Sequence, residues 1–340
     1  MRIAYAPFAH PDAPHGYGII AQKLREGLTA AGADVLPSTA FGWDCVLAVS
    51  LPAAWPVQNG RRSDLVWHTM FELEPMPPTW VPILNRSAGV WVPSQWCANL
   101  FRSSGVTVPI FVAGYGVDRR YFFPVNRSMR DGEPLRVLVW SMALIGRKNP
   151  LMAFTSFLDA GFPADKATLE IKVNSGQGMS ALKGYDGKVL SNARVIAEDW
   201  PLSRVGEWLR SGDVLVYLSG GEGFGLMPLE AMACGLPVVC ANNTGMMDFL
   251  SPDYAMLVPS KGKKENIGYT LRFGVKAYEE QPDADITTDY LRWCFEHRAE
   301  MREMGERAAL AVQHMTWQRT GENALIHLTS LFGPQGSLTS

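Results

Sequence analysis

Apolar runs and amphipathic stretches alternate along the first third of the chain. RIAYA (2–6) precedes the amphipathic GIIAQKLREGLTAAG (18–32), and ADVLP, CVLAVS, DLVWHTM, AGVWVPS and VPIFVAG follow, separated by polar or turn-forming residues. Short strands apolar on both faces, interleaved with helical segments, predict a parallel sheet wrapped by helices. Residues 126–134 break the pattern with a polar, turn-rich stretch that reads as a linker. The alternation restarts at LRVLVWS (135–141), continues through a helix near Pro150–Ala160, and repeats in TLEIKVN, ARVIAED, DVLVYLS and LPVVCAN. From about residue 265 the pattern is helical, over 265–281, 287–315 and 320–332. No repeat of solenoid period is present.

The expected organisation is therefore two α/β halves: 1–125, the linker 126–134, and 135–315, followed by a last segment, 316–340. A chain of 340 residues fits two domains better than one core. Composition narrows the class only a little. With 47% hydrophobic and 19% charged residues and a formal net charge of -2, the chain reads as a soluble protein without a strong field around it. Arginine pairs at Arg61–Arg62 and Arg119–Arg120 suit a solvated surface. The five cysteines show no CxxC or Cys/His spacing, so neither a disulfide framework nor a zinc site is expected. No signal-peptide core and no apolar stretch long enough to span a bilayer is found, which predicts a cytoplasmic setting without stable membrane insertion.

The chemistry concentrates in one segment. DVLVYLSGGEGFGLMPLEAMACGLPVVCAN (213–242) reads as strand, turn, helix, turn, strand. Gly220, Gly221, Gly223 and Gly225 permit close backbone approach, Pro228 suits a first helical turn, and Gly235 suits a C-terminal cap. A helix starting near Leu226 directs free amides at the carboxyl edge of the sheet, a ready anion site. Glu222 precedes that turn and Glu230 follows it. A carboxylate there repels phosphate but accepts hydrogen bonds from hydroxyls, so the ligand that suits both features is a nucleotide sugar, with Glu230 toward the ribose and Glu222 toward the hexose. Taken singly, Glu230 would only complement the helix dipole, by about 0.3–1 kcal/mol.

EGFGLMPLEAMACGLPVV (222–239) resembles the signature of retaining GT-B glycosyltransferases of family 4, the glycosyl transferases group 1. The likeness extends through MRIAYA with Gly16-Tyr17-Gly18, WVPSQWCANLFRSSGV, GYGVDRRYFFP, VLVWSMALIGRKNP and HMTWQRTGEN. It implies an α/β GT-B fold, two facing Rossmann-like domains with a cleft between them, an N-terminal acceptor domain, a C-terminal nucleotide-sugar domain, and a terminal helix returning to the first domain. Retaining transfer from a UDP- or GDP-sugar to an acceptor hydroxyl, without metal or other cofactor, is the implied reaction. Lys148, with Arg147 beside it, corresponds to the family's phosphate-binding lysine, while Met142 stands where many members carry an arginine. The cofactor-side residues expected are Gly16, Gly18, Gly223, Phe224, Gly225, Leu226, Glu230 and Trp200, the last in a loop that would hold the nucleobase. His68 and Glu72, at the end of DLVWHTMFELEP, are expected near the transferred sugar and the acceptor hydroxyl.

Asp283-Ala-Asp285 has the DxD pattern by which another glycosyltransferase fold holds manganese, but its setting is expected to be a polar surface loop between helices. Competing readings are a nucleotide-sugar epimerase or hydrolase and a non-catalytic binding module on the same scaffold. The acceptor stays open at this stage: a glycan, a small molecule, a lipid, or a hydroxymethylated base in DNA.

Overall fold

The computed structural model describes residues 1–7, 16–52, 62–125, 132–144, 146–175 and 191–333. His15 of the first loop and most of the linker at 126–134 lie outside them. Contacts divide the chain into two compact units, one of 1–116, 267–277 and 315–340, the other of 117–266 and 278–314. The partition falls after Gly116, ahead of the polar stretch, and the first unit takes in a short piece from late in the chain.

In the first unit β1 (Arg2–Pro7), α1 (Gly16–Ala30), β2 (Asp34–Pro37), β3 (Cys45–Val49), β4 (Leu65–His68), α2 (Trp80–Leu84), β5 (Gly89–Val92), α3 (Gln95–Ser103) and β6 (Ile110–Val112) follow one another. The six strands form one parallel sheet in the order β2-β1-β3-β4-β5-β6. β3, β4 and β5 are buried along their whole length, as strands covered on both faces must be.

The second unit has β7 (Leu135–Trp140), α4 (Pro150–Ala160), β8 (Ala167–Val173), β9 (Ala193–Ala197), α5 (Leu202–Ser211), β10 (Val214–Tyr217), α6 (Leu226–Ala233), β11 (Val238–Ala241) and β12 (Met256–Val258). Its parallel sheet runs β12-β11-β10-β7-β8-β9. Reading from β9, this is the doubly wound order, with the direction of winding reversing between β7 and β10. Leu135, Val137, Val139, Leu169, Ile171, Val214 and Val216 form the core with Phe154 and Phe157 of α4.

After β12 the pattern departs from the helical expectation for 265–281. β13 (Ser260–Glu265) and β14 (Tyr278–Pro282) make an antiparallel pair, and only α7 (Ile267–Phe273) between them is helical. Lys263 and Lys264 pair across it with Glu280 and Glu279 at 3.2 and 3.1 Å, so alternating charge stabilises strands that apolar periodicity did not mark. The long helix expected over 287–315 is two, α8 (Ala284–Glu296) and α9 (Arg298–Ala311), broken at His297.

The last helix, α10 (Trp317–Phe332), packs against α1 in the first unit. Its start is capped by Thr316, whose hydroxyl accepts from the Arg319 amide at 3.2 Å, and Thr320 donates to the Gly114 carbonyl at 2.7 Å. The two helices cross on glycines. A Cβ on Gly321 would lie 2.2 Å from the Gly27 carbonyl oxygen, and one on Gly27 would lie 2.2 Å from that of Trp317. Gly321→Ala should therefore lower stability by about 1–3 kcal/mol. Gly16→Ala, where nothing lies within 4 Å, should not. Chemical denaturation of both variants beside the parent checks this, and equal midpoints for all three would contradict the crossing.

Candidate functional site

The reversal between β7 and β10 splays the loops that follow those two strands, and open α/β sheets place ligands there. The loop after β7 carries Arg147 and Lys148; the loop after β10 carries Ser219 to Gly225. Backbone and side chains bind the two loops together. The Gly220 amide donates to the Arg147 carbonyl at 2.6 Å, and Asn149 Nδ2 donates to the Leu218 carbonyl at 2.9 Å. Asn149 itself holds φ 49°, a left-handed conformation that Asn tolerates better than most side chains.

Glu222 is the hub. Its Oε1 accepts from Arg147 Nη1, Lys148 Nζ, the Tyr217 hydroxyl and the Ser219 hydroxyl, each at 2.8 Å. Arg147 Nη1 also donates to the Gly221 carbonyl and to the Ser219 hydroxyl, and Lys148 to the Tyr217 hydroxyl. The three charged side chains are only 13%, 16% and 10% exposed in the order Arg147, Lys148, Glu222. Burial alone would raise the Glu222 pKa; the charges of Arg147 and Lys148, with hydrogen bonds from Lys148 and Ser219, overcome that and hold it well below the usual carboxylate range. Two cations against one carboxylate leave a formal surplus of one positive charge among these three groups. The Met142 side chain is 52% exposed, and it is Arg147 that turns inward.

α6 begins at once beyond this cluster. Gly225 is its N-cap with φ 96° and no side-chain cap, so the first amides of the helix are left to other partners. A Cβ at Gly225 would meet Met246 Cγ at 2.6 Å at a φ that side chains rarely adopt, so any other residue would be strained there. The Phe224 side chain is buried against Phe249, ring centroids 5.3 Å apart, so a ligand can meet only its backbone. Residues not foreseen complete the turn: Thr244 accepts from the Glu222 amide at 2.8 Å, and Asn243 Nδ2 donates to the Ser219 carbonyl at 2.9 Å. Both follow β11 at the carboxyl edge of the sheet, a position that could have singled them out.

Glu230 stands apart from that network. It is buried on α6, and burial together with the charge of Asp118 pushes its pKa up to about 8. Asp118 is engaged by Arg120, with Nη2 to Oδ2 at 2.6 Å. Trp200 follows β9, where its Nε1 donates to Glu198 at 2.6 Å and the Arg204 guanidinium lies 4.4 Å from its ring centre. Nearby Lys172 is buried with Nζ 3.7 Å from the centre of the Trp140 ring, and burial lowers its pKa to about 8 against the pull of Asp199 and Glu198. A cavity of about 280 Å³ lined by Arg136, Glu170 and Arg194 sits at the opposite, amino end of β7, β8 and β9, away from these groups.

The first unit holds the other candidates. Gly16 and Gly18, expected in a loop, lie in the first turn of α1 instead. His68 ends β4 fully buried, its ring edge-on to Trp91 at 4.6 Å, and its Nε2 pairs with the Tyr115 hydroxyl at 2.9 Å. Burial pushes its pKa down to about 3, against a backbone interaction with Trp91, so the imidazole is neutral at physiological pH. Its Nδ1 has no hydrogen-bond partner among the described residues. Glu72 accepts from the Tyr269 hydroxyl of α7 at 3.1 Å.

The DxD pair has a structural use. Asp283 follows β14, not a loop between helices, and caps α8 by accepting from the Asp285 and Ile286 amides. Lys261 pairs with Asp283 and Asp285 at 3.0 and 2.7 Å. Among the described residues no group of three or more His, Cys, Asp or Glu is arranged to hold a metal ion, and no helix is long and apolar enough to cross a membrane.

Residues 190–276 match the family glycosyl transferases group 1. Over 221 residues the chain is 30% identical to a D-inositol 3-phosphate glycosyltransferase of Arthrobacter sp. (strain FB24), covering 62% of this chain and 48% of that protein. The chain spans about half the length of the curated relatives it matches first. Among solved structures, the sucrose-phosphate synthase of Thermosynechococcus elongatus has a TM-score of 0.71 at 16% identity, over 98% of this chain and 99% of that one. Anabaena Alr3699/HepE in complex with UDP and glucose has a TM-score of 0.67 at 15% identity, over 97% and 100%. The fold is accordingly GT-B, and the resemblance carried by the glycine turn lies inside the matched family segment.

The Glu230 environment has a consequence for stability. Unfolding restores an ordinary carboxyl near 4.5, so between there and about 8 the folded chain binds the extra proton and stability falls as pH rises. Glu230→Gln should raise the thermal midpoint relative to the parent at pH 8.5, with the gap closing at pH 5. Parallel melting curves across that range check it; a gap that does not vary with pH would refute the buried-acid account.

Proposed function

We infer, for a chain with the GT-B fold whose residues 190–276 match glycosyl transferases group 1, that it moves a glycosyl group from a nucleoside diphosphate sugar to an acceptor hydroxyl. Retention at the anomeric carbon and independence of metal are part of the proposal, as is a UDP- or GDP-sugar as donor. The observation that carries it is the surplus positive charge of Arg147 and Lys148 around Glu222, set beside the uncapped amino end of α6.

A diphosphate leaving group gains negative charge as the glycosidic bond breaks. Stabilising that charge with fixed donors is the largest contribution most such sites make. A helix terminus provides up to about 2 kcal/mol and a hydrogen bond to a charged group roughly 1.5–3 kcal/mol. Lys148 and Arg147 supply the charged donors without a metal. Glu222 holds both cations in place before the donor arrives and offers its carboxylate to sugar hydroxyls, while Glu230, buried on α6, accepts from the ribose. Trp200 and its neighbours after β9 are assigned to the nucleobase. In the first unit, His68 as a neutral imidazole and Glu72 are assigned to hydroxyls of the sugar and the acceptor.

The named relative acts, by its name, on D-inositol 3-phosphate. A small hydroxylated acceptor, a cyclitol or a sugar, is the class we propose here. The epimerase, hydrolase and binding-module readings lack a comparable supporting observation.

Purified protein is incubated with UDP- and GDP-sugars and a panel of cyclitols and sugars, and product anomers are assigned by NMR. Lys148→Ala should cut turnover roughly 10- to 100-fold, the equivalent of one lost charged hydrogen bond. Arg147 remains paired with Glu222, so the fold persists. Glu230→Ala should weaken donor binding, and EDTA should leave the rate unchanged. Parental rates in Lys148→Ala, or a manganese requirement, would overturn the assignment.

A further inference from the structure

The amino end of the second sheet carries another pair of cations on one buried acid. Glu170 of β8 is 5% exposed and lies in register with Arg194 of β9. Its Oε1 accepts from Arg136 Nη2 of β7 at 3.1 Å and from Arg194 Nη2 at 2.7 Å, and its Oε2 accepts from Trp208 Nε1 of α5 at 2.8 Å. Burial alone would raise the Glu170 pKa; the hydrogen bonds from Trp208, Arg194 and Arg136 outweigh it and hold the carboxyl below its usual range, so it is ionised. The two arginines come from the strands on either side of β8, and against one carboxylate they leave a formal surplus of one positive charge among these three groups.

The arginines are only partly spent on Glu170. Each gives it Nη2, and no other side-chain hydrogen bond of either is found among the described residues. A guanidinium has five N–H donors, so several stay available. Both arginines line the cavity of about 280 Å³, together with Glu133, Thr168, Ser191 and Asn192. The Thr168 and Ser191 hydroxyls likewise make no hydrogen bond among the described residues. Arg136 and Arg194 are 29% and 65% exposed, so a dissolved ligand can reach them. The walls are held by the strands. Asp213 accepts from the Arg136 amide at 2.8 Å and donates its own amide to the Arg136 carbonyl at 2.9 Å, and Asn192 Nδ2 donates to the Ala167 carbonyl at 2.8 Å. A cavity framed in this way needs little reordering when a ligand enters.

We propose that this cavity binds a phosphate group, free or as the ester of a small polyol, between Arg136 and Arg194. It is a second anion site, at the opposite end of the sheet from Lys148, and it does not depend on the transfer reaction proposed above. Guanidinium groups recognise phosphate through paired N–H bonds, and Glu170 fixes both of them before the anion arrives. A cavity of about 280 Å³ lies just under the roughly 300–1,000 Å³ of sites for drug-sized ligands, which suits a small molecule. Thr168 and Ser191 offer hydroxyls to the phosphate oxygens or to the polyol. Glu133 opposes an anion, since its charge cancels the surplus; it is exposed, and water and salt weaken an exposed charge far more than a buried one. Neutralising Glu133 should therefore tighten binding, the reverse of the effect of losing an arginine.

Proton–nitrogen correlation NMR of the whole chain, including the arginine Nε signals, tests this by titration with inorganic phosphate, glycerol 3-phosphate and glucose. Expected are shifts at Arg136 and Arg194 Nε and at the amides of residues 168–170 and 192–194 that saturate with a midpoint of about 1 mM or below, and none with glucose. A tighter ester assigns the site to the ester and equal affinity assigns it to the free ion; either supports the proposal. Arg194→Gln, which leaves Glu170 paired with Arg136, should weaken binding at least about fivefold. Glu133→Gln should tighten it about twofold or more, and Arg25→Gln, on α1 of the first unit, should leave it unchanged. No saturable shift at these residues, the same shifts with glucose, or parental affinity in Arg194→Gln would overturn it and leave the cluster only the task of joining three strands. Because the signals are local, the donor loops report separately at residues 220–225. Phosphate seen only there sinks this inference alone, and UDP without effect there tells against the donor reading alone.

Discussion

One carboxylate oxygen organises the second unit. Glu222 Oε1 accepts from four donors that arrive from two loops and one strand, and two of those donors are cations. Removing the carboxylate from such a buried cluster would cost about 3–5 kcal/mol, because two cations are then left without compensation, whereas removing one cation leaves a balanced pair. The loops after β7 and β10 would otherwise diverge at the reversal of strand order. The cluster ties them together and, in doing so, fixes two positive side chains beside the amino end of α6. The structural role of Arg147, Lys148 and Glu222 and the chemical role proposed for them thus draw on the same interactions.

Much of this was legible in the sequence, for definite reasons. Strands buried on both faces announce themselves as continuous apolar runs, and the part-exposed edge strands β2 and β9 keep short apolar stretches, so all six strands of each parallel sheet were foreseen apart from β12. The four glycines and Pro228 marked the start of α6, because a tight turn and a first helical turn have narrow residue requirements. β13 and β14 were missed because they are stabilised by cross-strand ion pairs on a polar surface, which leaves no period-two apolar signal. Gly16 and Gly18 were read as a loop because glycine is the usual mark of one, yet α1 already includes both.

The site was legible to a different degree. Residue types showed that Lys148 and Glu222 each lie in a loop after a strand of the second unit, but not that they pair. That depends on the sheet order placing β7 beside β10, a long-range fact that local pattern does not carry. Tyr217, Ser219 and Thr244 were invisible for the same reason, since each is an ordinary residue until the loops converge. Tyr269 is the extreme case: it lies 197 residues from the Glu72 that it bonds, inside a stretch that polarity alone would assign to a surface helix.

The two units handle buried polarity in opposite ways, and that contrast is the basis for assigning them different ligands. Around Glu222 every charged group is paired and a positive surplus remains, an arrangement that already satisfies its own members and can still attract an anion. The Thr69 and Tyr17 hydroxyls are buried with no hydrogen-bond partner among the described residues, an arrangement incomplete until something with its own donors and acceptors enters. Preorganised charge suits a ligand whose charge grows during reaction. Unpaired neutral groups suit a ligand that must be discriminated by its hydroxyl pattern, because a molecule lacking a matching hydroxyl leaves the cost of burial unrelieved. Under the proposed function, a departing diphosphate is the ligand that suits the first arrangement and a polyhydroxylated acceptor the one that suits the second.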